Sequence, residues 1–134
     1  MAWEDPDLIS DFLIEAEEHL DDADAVLLAL EAKPNDAQLQ RRLNGCFHTL
    51  KGMASYVDFK EVEQLCHVTE SLIGSLSGAG TATARRNVDL AFQAVTLMRQ
   101  YFALVGECVE DDTPAPEPLE MRRLHARISS VVAA

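Results

Sequence analysis

Hydrophobic residues recur at steps of three and four along five segments of the chain, a spacing that predicts amphipathic α-helices. In the first segment the pattern runs from Ile9 to Leu30, and Pro6 suits its start. The second helix is predicted from Asp36 to Val57, with Asn35 as its N-cap. The expected inward positions of these two helices are Ile9, Phe12, Ala16, Leu20, Ala23, Leu27, Leu30, Leu39, Leu43, Phe47, Leu50, Ala54 and Val57.

Three further helices follow, separated by residues that interrupt helices. The third is predicted to begin at DFKE, where Asp58 and Glu61 have the spacing of a capping box. The stretch GSLSGAGTAT predicts a flexible loop before the fourth helix, and the prolines of EDDTPAPEP predict a turn or linker before a shorter fifth. The expected inward positions are Val62, Leu65, Thr69, Leu72, Ile73, Leu76, Val88, Ala91, Val95, Met98, Phe102, Val105, Met121, Leu124, Ile128 and Val131.

Four long amphipathic helices with short connections predict an all-α fold. We expect an antiparallel up-down four-helix bundle with an additional C-terminal helix. The bundle should occupy residues 1–110, a proline-rich linker residues 111–118, and the fifth helix residues 119–134. That helix either packs on the bundle or leads to further sequence, because the chain is also consistent with a piece of a larger protein.

The charge of the chain narrows the classes of partner. With 23 acidic and 11 basic residues its net charge is -12, which disfavours nucleic acids and anionic membranes and favours proteins as partners. Three scattered cysteines, with no C-x-x-C, argue against disulfides and a zinc site and fit a reducing cytoplasm. No signal-peptide pattern and no membrane-spanning run is present in the sequence. We therefore expect a cytoplasmic protein.

One face of the second helix combines unusual residues. A helical turn of about 100° per residue places His48 almost opposite the apolar stripe. Residues that fall on the same side, within roughly 60° of His48 by this count, are Arg41, Asn44, Gly45, Lys51, Gly52 and Ser55. Each glycine weakens a helix interior by about 1 kcal/mol relative to alanine. An ordinary surface histidine is the simpler interpretation of periodicity alone, whereas the cluster indicates a surface that a partner approaches closely.

The residues that follow His48 resemble a known family. The run HTLKGMASYVDF is similar to the H-x-L/I-K-G motif of histidine phosphotransfer (HPt) domains. The longer run to SLI, with His67 and Glu70 as an H-x-x-E pair, looks most like the N-terminal phosphotransfer domain of CheA-type chemotaxis histidine kinases. The resemblance extends from about Asp7 to Val109. The chain departs from that branch at Met53, Ser55 and Asp58, where small residues or glycine are frequent; we expect Asp58 to cap the third helix instead.

The resemblance implies roles for individual residues. His48 would be the phosphoacceptor, Lys51 a cation that pairs with phosphoryl oxygens, and Gly52 the position of close approach. Glu70 would accept a hydrogen bond from Nδ1–H of His48 and so hold the tautomer whose Nε2 is nucleophilic. His67 would join Glu70 and Lys51 in a hydrogen-bond network around His48. Without the resemblance, a solvated acid is the preferred interpretation of Glu70, and a solvated lysine is as acceptable as a functional role for Lys51. His67 counts to the outer face of its helix. The surrounding residues expected to dock partners are Gly52, Gly45, Asn44, Ser55 and Arg41.

The resemblance also implies how the domain is used. His48 would receive a phosphoryl group from an ATP-dependent histidine kinase domain, in cis or in trans, and pass it to an aspartate of a response-regulator receiver domain. The sequence has no phosphate-binding glycine loop. We therefore expect a carrier that is not an enzyme by itself, binds no cofactor or metal, and obtains ATP and Mg²⁺ through partner domains. The isolated domain is expected to be a monomer that neither binds nucleic acid nor inserts into membranes.

Alternative functions follow from the same residues. A free-standing or hybrid-kinase phosphorelay domain would share every feature named above. A helical interaction module would use the fold with His48 incidental. A di-iron bundle would need Glu-x-x-His pairs, whereas His67 and Glu70 run in the opposite order, and His19, His48 and His125 have no matching partners. The full reading frame beyond residue 134 would separate a CheA-type kinase from a phosphorelay domain.

Overall fold

In the computed structural model, which describes residues 1–133, the chain forms five α-helices. Their bounds are α1 Pro6–Ala32, α2 Ala37–Tyr56, α3 Lys60–Gly74, α4 Thr81–Asp111 and α5 Leu119–Ala133. No strand occurs among the described residues, and the all-α class predicted from the sequence is confirmed. The predicted flexible loop is shorter than expected, because α4 already includes the last three residues of GSLSGAGTAT.

The helices pack as a ring of four with the fifth on one side. Helix α1 contacts α2 and α4, whereas α3 contacts α2, α4 and α5. Helix α5 also contacts α4, so it covers the seam between α3 and α4. Within residues 1–133, the backbones of α1 and α3 do not approach each other closely, nor do those of α2 and α4, so each of these pairs lies diagonally across the ring. The α2–α3 seam therefore stays uncovered by α5.

A single apolar core lies inside this ring. The largest fully buried side chains come from all five helices and include Phe47 of α2, Met98 of α4 and Leu124 of α5. The inward positions predicted from periodicity are buried, except that Leu39, Val57 and Val131 are only half-buried. Burying a large apolar side chain contributes about 1.5–3 kcal/mol. Packing of the inner face therefore offsets the helix-weakening glycines on the outer face of α2.

The start of α2 differs from the prediction by one residue. Asp36, and not Asn35, is the N-cap: its Oδ1 accepts hydrogen bonds from the backbone N–H groups of Gln38 at 3.0 Å and Leu39 at 3.1 Å. Asparagine and aspartate are nearly equivalent as N-caps. Residue type alone therefore could not decide whether Asn35 or Asp36 caps α2.

The turn between α2 and α3 contradicts the predicted capping box. Asp58 has a φ of 62°, the left-handed region, and lies at the end of α2 instead of capping α3. Its N–H bonds the carbonyl of Ser55, and the N–H of Phe59 bonds that of Ala54, the pair of bonds that defines a Schellman motif. The N-cap of α3 is Phe59, without a side-chain bond, and Glu61 instead accepts a bond from Arg122 of α5. A left-handed φ at this position is a conformation that glycine adopts without strain.

Five aromatic rings close the end of the bundle where this turn lies. Phe12 packs edge-to-face on Phe59 at 5.4 Å and on Phe102 at 5.3 Å between ring centroids. Trp3 packs on Phe59 and donates from Nε1 to the carbonyl of Thr113, while Tyr101 donates to the carbonyl of Pro116. The N-terminal segment and the linker before α5 are thereby attached to the same aromatic group.

Two arginines join helices at the surface. Arg99 of α4 contacts Asp21 at 3.0 Å and Asp24 at 2.7 Å on α1, and Arg122 of α5 contacts Glu61 of α3 at 3.1 Å. Exposed pairs of this kind contribute at most about 1 kcal/mol each. They orient the helices more than they stabilise them.

The five helices were also compared with the requirements of a membrane span. Within residues 1–133, no helix combines the length and the apolar character that a membrane-spanning segment needs.

Replacing Asp58 with glycine should stabilise the protein. Glycine adopts a left-handed φ without the cost that a Cβ imposes, which is about 1 kcal/mol or more for ordinary residues and less for aspartate. We expect Asp58→Gly to raise the free energy of unfolding by about 0.5 kcal/mol, and Asp58→Ala to lower it. Urea denaturation at constant m-value measures both. We do not expect the same stabilisation from Asp112→Gly. Asp112 also has a left-handed φ, of 54°, but its Oδ1 accepts a hydrogen bond from the N–H of Ala2, and glycine would lose this bond. A loss of stability in Asp58→Gly would contradict the assignment of strain to Asp58.

Candidate functional site

The exposed face of α2 carries the imidazole of His48. Its side chain is 75% exposed, although its neighbours along the helix, Phe47 and Leu50, are fully buried. This contrast follows from helical geometry, since Phe47 and Leu50 belong to the apolar stripe and His48 lies opposite it. The ring is therefore accessible to another protein while its backbone is fixed by the core.

Glu70 of α3 joins His48 and Lys51 of α2. Its Oε1 lies 3.1 Å from Nδ1 of His48, and its Oε2 accepts a hydrogen bond of 2.6 Å from Nζ of Lys51. The side chains of Glu70 and Lys51 are 15% and 25% exposed, so the carboxylate lies mainly inside the α2–α3 seam. The structure thus brings together three of the residues predicted from the sequence.

Buried residues of α3 set the position of Glu70. Thr69, directly before it, is fully buried and its Oγ1 donates to the carbonyl of Leu65 at 2.7 Å. One turn earlier, Cys66 is also fully buried, and burial, followed by the charge of Glu70, raises the pKa of its thiol. Because both neighbours face the core, Glu70 is held at the edge of the seam and reaches across to α2.

The hydrogen bond between His48 and Glu70 has a defined chemical consequence. A carboxylate only accepts hydrogen bonds, so a neutral imidazole in this contact carries its proton on Nδ1. The lone pair then resides on Nε2, the nitrogen that does not face Glu70. Lys51 occupies the second oxygen of the carboxylate and restricts its rotation. The arrangement can present a neutral, oriented nitrogen nucleophile to a partner.

The predicted docking residues occupy the same face of α2 but are not equivalent. Arg41, Gly45, Gly52 and Ser55 are exposed. A Cβ at either glycine would meet no atom within 4 Å, so internal packing does not require glycine at these positions. Asn44 is half-buried, and its Oδ1 is fully covered without a hydrogen-bond partner among residues 1–133.

A groove between α1 and α2 adjoins Gly52. It is lined on the α2 side by Gly52, Met53 and Tyr56 and on the α1 side by residues that include Asp11 and Glu15. Tyr56 is 78% exposed, although it is a large aromatic residue at the end of the helix. Tyr56 was not among the site residues predicted from the sequence, although its position about one turn after Gly52 follows from a helical count.

His67 lies outside the Glu70 contacts. It is exposed on α3, and its side chain makes no hydrogen bond within the described residues. It lines a separate groove with Lys51, Glu63, Gln64 and His125. The sequence could not predict that His125 faces this groove, because its place depends on how α5 crosses α3. Among residues 1–133, no three or more His, Cys, Asp and Glu side chains are grouped so that they could hold a metal ion.

Comparison with known proteins identifies the family. The model of the Hpt domain family matches residues 7–130, a span from α1 into α5. The chain therefore belongs to the Hpt domain family, and the resemblance inferred from HTLKGMASYVDF is confirmed. The histidine phosphotransfer domain expected from the sequence is confirmed by this family match.

The curated relatives include CheA proteins. The chemotaxis protein CheA of Bacillus subtilis (strain 168) is 30% identical over 118 residues, which cover 86% of this chain and 18% of the relative. The sensor histidine kinase CheAY of Helicobacter pylori is 25% identical over 111 residues, covering 83% of this chain and 14% of the relative. The chain thus spans less than a fifth of these relatives. A search of solved structures gave no significant match.

The tautomer of His48 should depend on Glu70. In the native protein we expect imidazole ¹⁵N chemical shifts that place the proton on Nδ1, recorded at a pH where the ring is neutral. A hydrogen bond contributes about 1 kcal/mol, equivalent to about a fivefold change in the ratio of tautomers. Glu70→Ala should therefore shift the ratio towards Nε2–H by about that factor. Glu63→Ala, on the same helix, is the matched control and should leave it unchanged. Identical shifts in Glu70→Ala and the native protein would show that Glu70 does not select the tautomer.

Proposed function

We propose that His48 is the phosphoacceptor of a histidine phosphotransfer domain that serves a chemotaxis-type histidine kinase. The single observation that carries the proposal is the contact of 3.1 Å between Nδ1 of His48 and Glu70, which leaves Nε2 as the free nitrogen of an exposed ring. Family membership supplies the type of reaction.

In this proposal the kinase domain donates the γ-phosphoryl group of ATP. The Nε2 lone pair attacks phosphorus, the bond to the ADP oxygen breaks, and the proton stays on Nδ1 in its bond to Glu70. Glu70 stabilises the positive charge that develops on the ring. Lys51, close to the same carboxylate, provides a cation for the phosphoryl oxygens. An aspartate oxygen of a receiver domain then attacks phosphorus and releases the neutral ring.

The domain is proposed to be a carrier and not an enzyme by itself. ATP and Mg²⁺ would be bound by the kinase domain, and the receiver domain would supply the second transfer site. We propose that the partners approach the exposed stripe around Gly52 and the adjoining α1–α2 groove. His67 is assigned a weaker influence, through the neighbouring groove that Lys51 also lines.

The finer architecture is proposed from the packing. Contacts of each ring helix with its sequence neighbours, and of α1 with α4, support an antiparallel up-down bundle. We propose the bundle as residues 1–110 and the linker as residues 111–118, with the fifth helix packed on α3 and α4. A monomer in the cytoplasm fits the acidic surface and the absence of a disulfide pattern.

Phosphorylation by a kinase domain tests the assignment of His48. With a CheA-type catalytic domain and ATP, the native protein should acquire acid-labile, alkali-stable phosphate. His48→Gln should lower labelling by at least about a hundredfold, because the nucleophile is removed. His67→Gln is the matched control and should retain labelling. Equal labelling of His48→Gln and the native protein would refute the proposal and favour an interaction module with His48 incidental.

Two substitutions of Gly52 should have different effects, one on the stability of the fold and the other on the rate of phosphoryl transfer. Because a Cβ meets no atom there, Gly52→Ala should raise the free energy of unfolding by about 0.5–1 kcal/mol through helix propensity. Gly52→Leu should slow phosphoryl transfer to a receiver domain by at least about tenfold, since close approach is blocked. Gly45→Leu, about two turns before Gly52 in α2 and outside the lining of the α1–α2 groove, is the comparison. Transfer at the native rate in stable Gly52→Leu would exclude close approach at this position.

A further inference from the structure

The arginines on α4 and α5 differ from one another in their partners. Arg99 and Arg122 contact carboxylates on neighbouring helices. Arg86 and Arg127 instead donate only to the neutral amides of Asn87 and Gln93, at 3.2 Å from Nη2 and Nη1 respectively. Arg85 forms no ion pair within residues 1–133. Arg41 and Arg42 of α2 also form no ion pair within residues 1–133, so what distinguishes Arg85, Arg86 and Arg127 is that they lie close together on one surface.

These side chains line two adjoining depressions along α4 and α5. The first lies between the helices, and the second continues along α4 beyond Gln93 and Arg127, which border both. We call this surface the arginine groove; its residues include Arg85, Arg86, Gln93, Phe92, Leu97, Arg123, Leu124 and Arg127. Two carboxylates also border it, Asp89 and Glu120, and Glu120 contacts Arg123 at 2.9 Å. Four guanidinium groups therefore face two carboxylates, on a chain whose net charge is -12.

The floor of the arginine groove is partly apolar. Phe92 and Leu97 of α4 are half-buried, and Leu124 of α5 is buried between them and the core. A furrow between two helices, with an apolar floor and charged rims, has the shape and chemistry that bind an amphipathic helix. The rims here are basic, so complementarity requires acidic side chains on the ligand.

We propose that the arginine groove binds an acidic amphipathic helix of a partner protein. The groove belongs to α4 and α5, whereas the His48 contacts belong to α2 and α3, so binding leaves the phosphoacceptor face free. A single helix meets only the groove. A nucleic acid or an anionic membrane is larger than the groove and also meets the acidic surface around it, which repels both.

The test uses a synthetic acidic amphipathic peptide with leucines at helical spacing, together with versions that carry glutamine or lysine in place of glutamate. Binding to the full chain is followed by calorimetry and by amide chemical shifts. We expect the acidic peptide to bind with shifts confined to α4 and α5, and to weaken as salt shortens the range of charge interactions. Arg123→Glu with Arg127→Glu should weaken binding by at least about tenfold.

The matched control for the double variant is Lys33→Glu with Lys60→Glu, which makes the same change in net charge at exposed positions elsewhere. It should bind the acidic peptide within about twofold of the native protein. Circular dichroism checks that both variants fold, and Arg85→Glu with Arg86→Glu provides a second pair that leaves α5 unchanged. The proposal is overturned by equal binding of the glutamine peptide, by no binding of the acidic peptide, by equal losses in the control, or by tighter binding of an oligonucleotide or of phosphatidylserine vesicles.

Discussion

The contact of one carboxylate with two side chains of the neighbouring helix is the constraint on which the site depends. Glu70 reaches His48 and Lys51 at once only because α2 and α3 pack in one register along their seam. A shift of one helical turn, about 5.4 Å, would break both hydrogen bonds. The core that fixes this register, with Phe47 and Leu65 fully buried, is therefore also what orients the imidazole.

The same contact explains how an exposed histidine obtains a defined chemical state. At a surface position the ring would otherwise exchange freely between tautomers, and its side chain is 75% exposed. Glu70, at 15%, provides an anchor that is mostly inside the protein. The fold thus combines an accessible ring nitrogen with a nearly buried hydrogen-bond acceptor, and the proposed reaction of His48 with partner domains requires both.

The sequence predicted the parts of this arrangement that follow from helical periodicity. The inner faces of α1, α3 and α4 and the outward direction of His48 depend only on the angle per residue, and the structure has them as expected. The prediction that Asp58 caps α3 was wrong, because the D-x-x-E spacing of a capping box also occurs where aspartate adopts a left-handed conformation. Arrangements between helices, such as the ion pair of Arg122 with Glu61 or the groove that His125 and Lys51 both line, require relative positions that no local pattern contains. The link from Glu70 to His48 came from the family resemblance and not from periodicity.

The attachment of Trp3 has a practical consequence for spectroscopy. It is the only tryptophan of the chain, and its indole is held against Phe59 and the carbonyl of Thr113. Intrinsic fluorescence therefore reports on the end of the bundle where the N-terminal segment, the α2–α3 turn and the linker before α5 meet. Emission changes during unfolding would record the opening of this end, which need not coincide with loss of order around His48.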